Sequence, residues 1–357
     1  MVETKTQLNI AVIGAGYWAT SAHIPGILQH KKAKLIAIQN RTLSKAAQIA
    51  ADFGADLSFD DYRTLIVTAN PDAVVISSTP NVHYEQAKFA LEHHKHVLLE
   101  KPMTFTVAQA QELCELAEKN NLQLLVSCPW HYTRHGIEAR RLIHQHILGD
   151  IKMISVLMTN PVDKLLKGIN TSPTHGMNHA YLEPGKGSYS DPKIAGGGQI
   201  YTQVSHAGAY LSFLTGKQPA EVYAKFDNDG SVNDIYNALN ISMENGALIT
   251  LASTGATPLS VRNYEVRVFG TRGILLLELW KGTMVYYPFE GESRHYRELS
   301  EEEIYPDRAP VINFINTCLG LEENGSPGEL GLAAMKIIEA ATQSNKTGKP
   351  INILQTS

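Results

Sequence analysis

The chain has 357 residues, 43% apolar and 18% charged, with 31 basic and 35 acidic side chains and a formal charge of −4. That length is too great for one ordinary α/β core and predicts two domains, placed at residues 1–127 and 128–357, while the slight acidity argues against nucleic acid as a partner. Three scattered cysteines without a CxxC pair, no bilayer-length apolar run and no signal-peptide pattern at the N-terminus argue against a disulfide scaffold and a membrane partner, and predict a cytoplasmic protein.

Leu8–Ile13 reads as a strand that runs into Gly14-Ala15-Gly16-Tyr17-Trp18-Ala19. Lys34–Gln39 is the next strand, ending at Asn40-Arg41. Ser44–Phe53 reads as a helix, with Ser44 as candidate N-cap and Gly54 just past its end. Ala73–Ser77 is a strand, followed by Ser78-Thr79-Pro80-Asn81 and a helix over about Val82–His93. Val97–Leu99 runs into Glu100-Lys101-Pro102, Thr106 opens a helix to Asn120 with a capping-box spacing to Gln109, and Leu122–Val126 closes the series. Strands alternating with helices of this length predict an α/β fold whose N-terminal part is a doubly wound parallel (Rossmann) sheet.

Beyond Ser127 the pattern changes. A helix is predicted over about Gly136–Ile147 and a strand over Lys152–Met158. Asn160–Gly198 has little periodicity, and a loop that long is usually functional. A helix over Gln199–Leu214 follows. The short β-like runs Glu221–Phe226, Ile235–Met243, Ala247–Ser253, Tyr264–Phe269, Ile274–Trp280 and Met284–Tyr287 predict a large, mostly antiparallel open sheet. Helices near Pro310–Leu321 and Leu330–Ser344 make this second domain α+β.

The glycine turn carries the first functional signal. Gly14 permits a tight turn, Gly16 lets the backbone approach a pyrophosphate, and Ala19 allows close helix–strand packing. The helix start beyond it offers free N–H groups to phosphate, with Tyr17 and Trp18 in the same turn. An NAD-preferring site usually carries Asp or Glu after the second strand; here stand Asn40 and Arg41, a pair that leaves room for a 2′-phosphate and supplies a guanidinium for it. The expected cofactor is therefore NAD(P), with a lean to NADP. Lys101 ends a later strand, where ligands bind in such sheets, and Pro102 biases its backbone to an extended form. The plain alternative is a surface lysine.

Together Gly14-Ala15-Gly16-Tyr17-Trp18-Ala19, Thr79-Pro80-Asn81-Val82-His83, Glu100-Lys101-Pro102, and Gly196-Gly197-Gly198 followed by His206 resemble the glucose–fructose oxidoreductase, inositol dehydrogenase and rhizopine-catabolism family (Gfo/Idh/MocA). The resemblance covers nearly the whole chain. It implies hydride transfer between nicotinamide and a hydroxyl-bearing carbon of a sugar, inositol or related polyol. It further implies a homodimer or homotetramer formed through the C-terminal sheet. By resemblance Lys101 and His206 are the catalytic residues. Gly14, Gly16, Asn81, His83 and Glu100 are cofactor contacts, to which position adds Tyr17, Trp18, Asn40, Arg41, Ser78, Thr79, Pro80, Lys101, Pro102 and Trp130. Many members have acids four residues before and three after the histidine; here those are Thr202 and Ala209.

Substrate contacts are expected from Lys101, His131, Tyr132, His175, His179, Thr202, Gln203 and His206, with interdomain packing as the alternative for the Trp130-His131-Tyr132 stretch. The pairs His131/His135 and His175/His179 have metal-ligand spacing but no evident third ligand, so no metal is expected. Two other readings remain: a redox-assisted glycoside hydrolase that oxidises C3, eliminates and re-reduces, and a non-catalytic cofactor sensor.

Overall fold

The computed structural model describes residues 6–169, 181–183, 185 and 187–354. They fall into two compact units. Of the described residues, the first draws on 6–127, 181–183, 185, 187–188 and 307–332, and the second on 128–169, 189–306 and 333–354.

The first unit is built on β1 (Leu8–Ile13), β2 (Ala33–Gln39), β3 (Leu57–Phe59), β4 (Ala73–Ile76), β5 (His96–Leu99) and β6 (Leu124–Val126), in the order β3-β2-β1-β4-β5-β6. All neighbours are parallel. Such strands are covered on both faces, which is why β1 and β4 read as continuous apolar runs. Ile10, Val12, Ile38, Val75 and Leu98 form the core with Ile24 and Ile27 of helix Ile24–Gln29. Val311, Phe314 and Ile315 of helix Ala309–Cys318 join the same core, so the chain returns to complete it. Strand order reverses between β1 and β4, and the loops after these two strands meet there.

Local differences from the sequence reading have local causes. Helix Leu43–Phe53 begins at Thr42 rather than Ser44, and Gly54 closes it at φ +76°. Thr106 caps helix Val107–Lys119 as expected, accepting from the Gln109 N–H. β3 and helix Tyr62–Ala69 carried no periodic signal, because β3 has three residues and the helix eight; Asp61 caps that helix by accepting from Thr64 N–H at 2.8 Å.

The second unit holds a nine-stranded sheet of β7 (Ile151–Thr159), β8 (Pro219–Asp227), β9 (Tyr236–Met243), β10 (Leu248–Thr254), β11 (Asn263–Gly270), β12 (Gly273–Glu278), β13 (Thr283–Pro288), β14 (Arg294–His295) and β15 (Ile351–Asn352). Their order is β14-β13-β12-β11-β7-β10-β9-β8-β15. β7 lies in the middle and runs parallel to β10; every other pair is antiparallel. Alternation sorts the strands into an inward set, including Val156, Leu239, Leu251 and Val266, and an outward set that leaves Met153, Leu157, Tyr236, Leu248 and Tyr287 exposed. Helix Val204–Thr215 is buried along its whole length to Leu214, consistent with a sequence apolar on every side. No helix among the described residues is long and apolar enough to cross a membrane.

Candidate active site

The glycine turn is tied down from several directions. Gly14 adopts φ +73°, and a Cβ there would lie 2.4 Å from Ser78 Cα. The Gly14 N–H donates to Gln39 Oε1 at 2.9 Å, and Gln39 Nε2 donates to the Asp60 carbonyl at 2.8 Å. Asn40 Nδ2 donates to the Ala15 carbonyl at 2.7 Å while its Oδ1 accepts from Thr42 N–H at 3.0 Å. A Cβ on Gly16, by contrast, would have only the Gly14 carbonyl near it, at 3.7 Å. The turn is thus rigid at Gly14 and open at Gly16, which fits a pyrophosphate approaching the backbone closely. Tyr17 and Trp18 are half-buried just beyond, their ring centroids 6.5 Å apart. Arg41 is exposed.

Across the turn, His83 joins two loops. It is 1% exposed, with Nδ1 2.9 Å from the Pro102 carbonyl and Nε2 3.1 Å from the Ser78 carbonyl. Burial lowers its pKa, so the ring is neutral and donates from one nitrogen. We assign that proton to Nδ1 on the shorter contact. Ser78 is further held by its hydroxyl, which donates to Gln86 Oε1 at 2.6 Å. The loops that carry Ser78-Thr79-Pro80-Asn81 and Lys101-Pro102 are therefore one assembly, with Thr79 and Pro80 half-buried and Asn81 exposed.

Glu100 is 7% exposed and sits at the end of β5. One carboxylate oxygen lies 2.9 Å from His23 Nε2 and the other accepts from the Lys101 N–H at 3.2 Å. Burial alone would push this carboxyl up; the hydrogen bond from His23 and the surrounding charges, Lys101 included, outweigh it and hold it below the ordinary range. Lys101 is half-exposed, and its peptide bond to Pro102 is cis.

In the second unit, Asp234 sets the start of the histidine segment. Its carboxylate accepts from Gly198 N–H at 2.9 Å and Ile200 N–H at 2.7 Å, the position where a helix favours negative charge. A Cβ on Gly198 would lie 2.2 Å from the Asp234 carbonyl, so only glycine fits. The predicted helix is two helices, Gln199–Thr202 and Val204–Thr215, interrupted at Gln203 with φ −119°. The Thr202 hydroxyl donates to the Gly198 carbonyl at 2.9 Å, so its proton stays within its own turn. Gln203 Oε1 accepts from Asn160 Nδ2 at 3.0 Å. His206 is 4% exposed and meets the Trp130 ring edge-on at 5.1 Å. Trp130, 3% exposed, also packs on Tyr264, Trp280 and Tyr305. Tyr132 is half-buried.

His131 is 2% exposed and stacks on Phe213 at 4.5 Å with 2° between the planes. The ring is packed in the core of this unit. Burial, helped by the Arg140 charge, lowers its pKa from 6.5 to about 3. The unfolded ring takes a proton below its ordinary pKa and the folded ring does not. Stability tied to this group is therefore lost as pH falls from about 6.5 toward 3, by about 2 kcal/mol at pH 5. His131→Phe should flatten the fall of Tm between pH 6.5 and 5, with His83 leaving a residual slope; an unchanged slope in thermal melts would refute the assignment.

His175 and His179 lie outside the described residues, and no cluster of three or more metal-ligating side chains occurs among the described ones. Gln39, His23 and Asp234 were missed by the sequence reading. Each is an ordinary residue whose partner is 25 to 77 positions away.

A glycine turn at the switch point of a parallel sheet and a lysine at the carboxyl edge of that same sheet define a dinucleotide-dependent oxidoreductase. Family models agree: residues 8–128 match the oxidoreductase family with NAD-binding Rossmann fold of the Gfo/Idh/MocA group, and residues 137–276 match that group's C-terminal domain. The chain belongs to the Gfo/Idh/MocA oxidoreductase family. It is 28% identical to D-glucoside 3-dehydrogenase of Escherichia coli over 98% of this chain and 99% of that one. It is 29% identical to dTDP-3,4-didehydro-2,6-dideoxy-alpha-D-glucose 3-reductase of Streptomyces antibioticus over 43% of this chain and 47% of that one. An oxidoreductase from Agrobacterium radiobacter, solved in complex with NAD+, L-tartaric acid and magnesium, shares the fold with a TM-score of 0.80 at 17% identity, over 99% of this chain and 100% of that one. An aldose-aldose oxidoreductase from Caulobacter crescentus, complexed with glycerol, does so at 0.76 and 21%, over 97% and 99%.

Proposed function

We propose that this protein oxidises or reduces a hydroxyl-bearing carbon of a sugar or sugar derivative, with Lys101 as the proton-handling residue and His206 as the second catalytic residue. The observation that carries the reading is the clamp on the Lys101 loop: His83 contacts Pro102 on one side, and Glu100 accepts the Lys101 N–H on the other. A half-exposed amine on so rigid a backbone is suited to meet a substrate oxygen in one geometry. A bound nicotinamide would supply the hydride acceptor or donor. Gly14 and Gly16 would cradle its pyrophosphate, and Lys101 would take the hydroxyl proton on oxidation or return it on reduction. The full-length similarity to a D-glucoside 3-dehydrogenase supports a sugar as the substrate class.

The absence of a carboxylate after β2, with Asn40 committed to the turn and Arg41 exposed, supports NADP over NAD. The test is an absorbance assay at the reduced-nicotinamide band with NAD and NADP, over a panel of aldoses, methyl glycosides and inositols. Net absorbance change with a sugar is expected, larger with NADP. Release of free sugar from a glycoside without net absorbance change would replace the proposal with redox-assisted hydrolysis. Cofactor binding without turnover on the whole panel would replace it with a sensor.

A further inference from the structure

His23 is fully buried, at 0% exposure, yet it has no place in the chemistry above. It closes the π-helical turn Ala19–His23 that follows the glycine turn. That turn is secured by the Thr20 hydroxyl, which donates to the Gly16 carbonyl at 2.8 Å, and by the Ser21 hydroxyl, which donates to the Tyr17 carbonyl at 2.8 Å. From there His23 Nε2 reaches Glu100 at 2.9 Å, across 77 positions of sequence, and the second oxygen of the same carboxylate receives the Lys101 N–H. One carboxylate thus joins the cofactor-binding turn to the backbone of the proposed catalytic lysine. We infer that His23 is a positioning residue: by donating to Glu100 it holds that carboxylate against the Lys101 backbone and so fixes where the amine stands.

The physical reason is that a buried carboxylate must have donors. With His23 the two oxygens are divided between imidazole and main chain. Without it, the Ser127 hydroxyl is the side-chain donor left beside Glu100, and the carboxylate takes up a proton or turns toward that hydroxyl or toward Lys101's own amine, so its hold on the Lys101 backbone is lost. A buried histidine that merely filled space would be replaced well by an apolar side chain of similar size. A positioning histidine would be replaced only by another donor. Asp307 is a second acid within electrostatic reach of His23, its carboxyl raised by burial, and so serves as the control.

The inference rests on Lys101 acting in catalysis. Its test uses the full chain, NADPH or NADH binding followed by fluorescence, and turnover on whichever sugar of the panel above is active. His23→Leu should lower kcat about tenfold or more, with KM for sugar and the cofactor Kd within about threefold. His23→Gln, whose amide can donate to Glu100, should recover most of that kcat. His23→Leu combined with Glu100→Gln should lose no more than the worse single variant, because both break one connection. Asp307→Asn should stay within about twofold of the parent. The inference is overturned if His23→Leu keeps its kcat, if His23→Gln is as poor as His23→Leu, if the double variant is additive, or if Asp307→Asn reproduces the loss. Where His23→Leu fails to fold, the Gln variant and the Asp307 control still decide. Failure of the underlying reading shows separately, as Lys101→Ala with unchanged turnover.

Discussion

Lys101→Ala should lower kcat by about 100-fold or more while leaving the cofactor dissociation constant within about threefold. Positioned proton transfer contributes on the order of 10²–10⁴ in rate, and no other flexible cation is tied into this loop through Glu100 and Pro102 among the described residues. The substitution leaves the main-chain contacts of the loop in place. The loop's shape comes from the His83–Pro102 contact, the Glu100–Lys101 main-chain bond and the backbone of Pro102, all of which alanine keeps. Lys101→Met retains the aliphatic stem and should be as inactive as the alanine variant, which separates loss of the amine from loss of packing. Single-turnover traces with the active sugar should slow in proportion. If turnover stays within threefold of the parent, the lysine leaves the mechanism and the proposed function goes with it.

The elements that could be read from sequence are those whose cause is local. The glycine turn and Glu100-Lys101-Pro102 each need only neighbouring residues and the end of a strand to be recognised, and the parallel sheet follows from short apolar runs spaced by helices. What escaped depends on distant partners. Gln39 reads as the last residue of a strand, yet its amide holds the Gly14 N–H. Asp234 reads as a turn residue before β9, yet it caps the segment leading to His206 from 34 to 36 positions away. The parallel pairing of β7 with β10 is equally silent, since a strand's own pattern does not name its neighbour, and the long excursion after β7 hides the return. His131 shows the same limit from the other side. Next to Trp130 and Tyr132 it reads as a sugar contact or a packing residue, and the Phe213 ring that stacks on it lies 82 positions on, where the sequence gives no sign of it.

Gly14→Ala should be the most damaging single change in the glycine turn, destabilising the protein by about 2–5 kcal/mol and weakening cofactor binding about 100-fold or more. Two costs add. A left-handed backbone at φ +73° costs an L-residue roughly 1–2 kcal/mol. The new methyl would also stand 2.4 Å from Ser78 Cα and 2.5 Å from Ser78 N, which are backbone atoms. Ser78 is restrained, because its hydroxyl is held by Gln86 Oε1 at 2.6 Å. Relief has to come from the glycine turn, which would pull the Gly14 N–H off Gln39 and shift the open approach at Gly16. Gly54→Ala separates the two costs: φ is +76° there, but the methyl meets nothing within 4 Å. That variant should lose only the conformational part, about 1 kcal/mol, and bind cofactor normally. Thermal melts and cofactor titrations of the two variants side by side settle the matter. Equal melting temperatures, with unimpaired cofactor binding in Gly14→Ala, would mean that the contact between the β1 and β4 loops does not shape the dinucleotide site.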